Sequence, residues 1–138
     1  MGFIGGDLIE IAATNSDIGG TKVFFPKAGE DSTFDPGGIR TNDDKSGTTS
    51  QGQGIYIKNN TRWEMNAVIG WDANTNKELE ALEALQKSTQ ETDWLFTFSN
   101  GAQYSAKGMP VGDLAGNLNQ ATIAFKAQGS ALSVKKTV

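Results

Sequence analysis

From Arg62 to Trp71 large apolar and polar residues alternate: Trp63, Met65, Ala67, Ile69 and Trp71 share one parity, and Arg62, Glu64 and Asn66 share the other. A period of two puts successive side chains on opposite faces of a strand, so this segment reads as a β-strand with one face in a core and the other toward water or a neighbour. A strand of this kind needs partners. Runs rich in β-branched and aromatic residues supply them over 8–13, 21–25, 55–58, 94–98, 102–107 and 121–127, each bounded by turn-forming residues. The expectation is a mostly β fold, a β-sandwich or barrel of about seven strands forming a single domain over 1–138.

Turn chemistry locates the hairpins. Asn100-Gly101 predicts a type I′ turn joining 94–98 to 102–107, because both residue types tolerate positive φ. Asn59-Asn60 predicts a second turn, between Tyr56 and Trp63. The glycines at 108, 112 and 116 mark 108–119 as a loop.

One stretch departs from the β pattern. Over 75–87, Leu79, Leu82 and Leu85 recur with Ala81 and Ala84 on a helical stripe opposite Glu80, Glu83 and Lys87, predicting one α-helix that packs its leucines on the sheet. Thr75 and Glu78 have the spacing of a capping box. A second stretch, 29–54, is acidic and glycine-rich, with Phe34 and Ile39 almost alone as apolar residues, and predicts a long extended loop or hairpin without a core of its own.

Catalytic signatures are scarce. The chain contains no cysteine and no histidine, which excludes thiol nucleophiles, imidazole bases, disulfides and thiolate or imidazole metal sites. Residues 72–83 imitate the oxygen-ligand spacing of a calcium-binding EF-hand loop, but Lys77 stands where its sharp turn needs glycine, and the start of a helix explains the same residues. Asp43-Asp44 and Glu30-Asp31 lie in a polar loop where water keeps both members of each pair ionised. Gly52-Gln53-Gly54 and Lys107-Gly108 lack the remaining residues of a phosphate-binding loop. We therefore expect no enzyme activity, no metal and no cofactor.

Charge and hydropathy limit the partners. With 12 basic against 16 acidic residues, and Lys135-Lys136 the one adjacent basic pair, tight nucleic-acid binding is not expected. No apolar run is long enough for a signal peptide or a membrane span, so cytoplasmic synthesis and no membrane partner are expected.

Several longer segments carry a resemblance: 5–11 (GGDLIEI), 24–34 (FFPKAGEDSTF), Trp71-Asp72 with 76–79 (NKEL), and 108–113 (GMPVGD). Together they make the chain resemble a bacteriophage tail tube protein of the contractile-tail type, a family related in fold to the inner tube of type VI secretion systems. The resemblance covers nearly the whole length. It implies a structural subunit of the virion, assembled in the host cytoplasm into six-membered rings that stack as a tube, with sheath, baseplate and terminator proteins as partners and double-stranded DNA passing without tight binding.

The family's long loop reaches the adjacent ring, which assigns an inter-subunit role to Asp35, Pro36, Gly37, Arg40, Asn42, Asp43, Asp44 and Lys45. Arg62, Glu64 and Asn66, the polar parity of the alternating strand, are candidates to face the lumen. Six copies would carry about −24, a wall that repels phosphates over a Debye length of roughly 8 Å. Alternatives are a secretion-type tube, a neck or tail-terminator ring, and, from another class, a carbohydrate-binding β-sandwich that stacks sugars on Tyr56 and Tyr104.

Overall fold

The computed structural model describes residues 2–136. The chain runs through β1 (Leu8–Asn15), a 3-10 turn (Ser16–Ile18), β2 (Gly20–Phe24), β3 (Thr33–Asp35), β4 (Gly38–Thr41), β5 (Gly47–Thr48), β6 (Gly54–Ile55), β7 (Lys58–Thr61) and β8 (Trp63–Gly70). It continues through α1 (Lys77–Lys87), β9 (Thr92–Phe98), β10 (Gln103–Asn117), β11 (Thr122–Gly129), a second 3-10 turn (Ala131–Ser133) and β12 (Lys135–Lys136). The fold is mostly β with a single α-helix, as its alternation and leucine stripe predict.

Eight strands make one antiparallel sheet in the order β2-β1-β9-β10-β11-β8-β3, with β12 beside β10. The sheet folds over at β10, which pairs with β9 from Gln103 to Gly108 and with β11 from Met109 onward. Its far ends approach through a single bridge, Pro26 opposite Ile69, without closing a barrel. Trp63, Met65, Ala67 and Ile69 are all buried, so the alternating parity of β8 does face the core. They meet Trp94 and Phe96 of β9, Phe125 of β11 and Phe24 of β2, with Trp63 and Phe96 edge to face at 5.9 Å and Trp94 stacked on Phe125 at 6.0 Å. Leu82 and Leu85 of α1 join the same cluster.

The segment 108–119 is a strand as far as Asn117 and not a loop. Its glycines serve a continuing strand: a Cβ on Gly108 would lie 2.1 Å from the Gln128 carbonyl oxygen, and Gly112 takes φ 74 where the register shifts between Val111 and Ala115. At this fold-over the indole nitrogens of Trp63 and Trp94 donate to the carbonyls of Lys107 (2.9 Å) and Gly108 (3.2 Å).

Three local details also differ from the sequence reading. The β9–β10 hairpin forms, but Gly101 N donates to Phe98 O and only Gly101, at φ 91, is left-handed, so the connection is not a type I′ turn. Asn59-Asn60 lies inside β7, paired with Arg40 and Ile39, and makes no turn. The capping box does not form, because Asn76 at φ 55 precedes the helix and its Oδ1 accepts from Trp71 Nε1 (3.0 Å). The Thr75 hydroxyl donates backward to Asp72 O, and Asp72 Oδ1 accepts from Asn74 N, an ordinary turn in the stretch that imitates a calcium loop.

Candidate assembly surface

The ladder between β3 and β8 does not stop at the edge of the core. Thr33 pairs with Asn66 and Asp35 with Glu64; beyond a short break Gly38 pairs with Thr61 and Thr41 with Lys58, all in one unbroken register. Asn42 N then donates to Ile57 O in the same register. After a turn in which Ser46 N returns to Asn42 O, β5 and β6 resume the pairing as far as Thr48 and Gly54, and Gly52 at φ 88 closes the tip. The polar segment is therefore an arm spanning 36–62, and its return strand takes in the run at 55–58 that the sequence suggests as a strand. At ~3.3 Å per strand residue it extends about 30 Å.

The root of the arm is a defined joint. Gly37 at φ 72 sits so close to the opposite strand that a Cβ there would lie 2.7 Å from Thr61 O. Asp35 Oδ1 accepts from Gly37 N (2.9 Å), and the same carboxylate pairs with both terminal guanidinium nitrogens of Arg40. The Arg40 hydrogen bonds, followed by that of Gly37, hold the Asp35 carboxyl below its ordinary range, and the same contact raises Arg40. Asp35 and Arg40 thus bind each other across the joint. Pro36 and Gly37 form the joint itself.

Farther out, Asn42 Oδ1 accepts from Lys45 N and its Nδ2 donates to Asn59, bracing the turn that exposes Asp43, Asp44 and Lys45. Around these polar residues the arm carries apolar side chains in water: Ile39 is 74% exposed and Tyr56 73%, with Ile55 and Ile57 also exposed. Ile39, Thr41, Lys58 and Asn60 share one face, and Lys58 Nζ reaches Thr41 Oγ1 at 3.1 Å.

The outer face of β8 is a mixed-charge surface. Glu64 accepts from Gln128 (3.0 Å) and pairs with Lys126 (3.2 Å), which in that order hold its carboxyl below the ordinary range, and Asn66 donates to Thr33. Arg62, at the arm root, is exposed and makes no ion pair among the described residues. The structure thus places Glu64 and Asn66 together and leaves Arg62 apart.

Higher on the same face, two adjoining shallow hollows of about 620 and 350 Å³ share a floor of Val68, Ala115 and Ala124. Glu30, Asp31 and Asp113 line them. Lys27 pairs with Glu30 at 3.4 Å, whereas Asp31 and Asp113 have no cation partner among the described residues. No group of three or more acidic residues among those described is arranged to hold a metal ion.

Neither a known family model nor a curated protein matches this chain. What the surface does must follow from its geometry. Sequence reasoning passed over Lys58, at the end of a strand run, and the hollow floor, whose residues are separated by up to 56 positions, and it named Tyr56 only as a sugar platform. The outward parity of Val68 in β8 was the available signal for the floor.

Proposed function

We propose that this protein is a non-enzymatic structural subunit that assembles with copies of itself into stacked rings, forming the inner tube of a contractile phage tail through which DNA passes. The observation that carries this reading is the arm. A lone two-stranded ribbon is marginal in water, and this one exposes isoleucines and a tyrosine on a fixed, clamped root. A second copy that covers those side chains removes the cost, and a repeated head-to-tail contact closes into rings or continues as a filament. The resemblance of several long segments to tail tube proteins favours the tube among such assemblies.

The net charge of −4 per copy suits a wall that repels phosphates and does not hold them. Sheath, baseplate and terminator proteins are the partners expected of such a tube, and the virion its location. A secretion tube or a terminator ring shares this geometry and differs in what it caps or conducts. The carbohydrate-binding alternative loses support because Tyr104 packs on Phe34 (5.4 Å) and Phe98 (5.9 Å), which leaves Tyr56 without a second sugar platform.

Negative-stain microscopy with mass by light scattering tests the reading. The intact chain should give rings or tubes, and a variant with 38–61 replaced by a short Gly-Ser link should fold and stay monomeric. An intact chain that remains monomeric at high concentration overturns it.

A further inference from the structure

The hollow on the outer face of the sheet and the arm carry complementary chemistry. Its floor of Val68, Ala115 and Ala124 is small and apolar, and its rims carry two carboxylates, Asp31 and Asp113, that pair with no cation among the described residues, the Lys126 that also lines it being paired with Glu64 at 3.2 Å. The arm face of Ile39 and Thr41 presents a large apolar side chain beside Lys58, which has no anion partner among the described residues, and Tyr56 lies two positions before that lysine. Small floor residues leave room for large protruding ones, and unpaired opposite charges at the margin favour one docking register over others. The two hollows adjoin over β8, β11 and β10, so a docked ribbon would lie across three strands.

We propose that this hollow is the receptor for the arm of a second copy, with Ile39 and Tyr56 against Val68, Ala115 and Ala124, and Lys58 beside Asp31 or Asp113. The proposal rests on the self-assembly reading and adds the surface that receives the arm. Val68 and Ala124 face outward because the alternate residues of their strands are buried, and this contact is what gives the half-buried Val68 and the exposed Ala124 a partner.

The absence of native cysteine makes disulfide trapping clean. Tagged Tyr56→Cys protein would be mixed with untagged Ala124→Cys protein, and in parallel with Glu83→Cys protein, whose cysteine lies on the exposed side of α1. After mild oxidation the Tyr56–Ala124 heterodimer should exceed the Tyr56–Glu83 product at least tenfold. Asp31→Lys with Asp113→Lys should raise the concentration needed for assembly at least tenfold, and Lys58→Glu should restore part of that loss. Oligomers that form without preferential linking to position 124 overturn the receptor and leave the assembly reading intact. Absence of oligomers from the unmodified chain overturns both.

Discussion

Trp63 Nε1 donates to Lys107 O across 2.9 Å, joining the first core residue of β8 to the carbonyl that precedes the bend of β10. The contact exists because Gly108 and Gly129 let the backbones close in around the indole: a Cβ on Gly129 would lie 2.6 Å from Trp63 Nε1. A ring without a donor would keep the apolar contacts with Phe34 and Phe96 and leave that carbonyl to the weaker approach of Ser133 Oγ at 3.3 Å.

Trp63→Phe should therefore destabilise the fold by about 2 kcal/mol, from a lost buried hydrogen bond and a partly filled space. Urea titration followed by circular dichroism measures it. A midpoint equal to that of the unmodified chain would show that the indole donor contributes nothing at the bend.

Ala121, at φ 54, holds a left-handed conformation that its Cβ disfavours, and its carbonyl accepts from Trp71 N at 2.8 Å. Ala121→Gly should stabilise the protein by up to about 1 kcal/mol, the relief of the side-chain clash exceeding the added freedom of the unfolded chain. Thermal melting reads the sign directly, and a lowered melting temperature contradicts the prediction.

Asp35 and Glu64 both titrate below their ordinary values of 3.8 and 4.5 because their folded partners favour the charged form. A carboxyl with a depressed folded pKa stabilises the fold above its unfolded value and loses that contribution as pH falls through the folded value. The arm root should accordingly be held above the ordinary Asp35 value of 3.8 and loosen as pH falls below it, while the core persists. Two-dimensional NMR across this range should show Gly37, Arg40 and neighbouring arm amides moving before those of β9. Asp35→Asn should abolish this response at the root and spare the one near Lys126.

Strict alternation made β8 legible, and the leucine stripe did the same for α1, because each pattern has one geometry that buries it. The second half of β10 was hidden by its glycines. Gly108 serves close backbone approach, and Gly116 lies beneath the Trp71 ring, contacts made with residues remote in sequence that local turn statistics do not contain. Asn59-Asn60 misled for a related reason: its cross-strand partners, Arg40 and Ile39, are about twenty residues away. The acidic segment stood out as coreless, but the joint made by Asp35, Gly37 and Arg40 could not be seen before the register of β3 on β8 was known. The hollow is signalled in the sequence by the outward parity of Val68 alone, since its floor comes from three strands.

The shared register of β3–β8 and β4–β7 has a mechanical consequence. Tension applied along the arm enters the sheet through β8, which is bonded to β11 along its whole length and to β3 and the Pro26 bridge on its other side. Antiparallel ladders pulled lengthwise share load among many rungs at once, whereas peeling breaks them one by one. A neighbour tugging on this lever would thus strain a strand anchored on both of its sides, and the weak point would lie outside it, at the glycines of the joint.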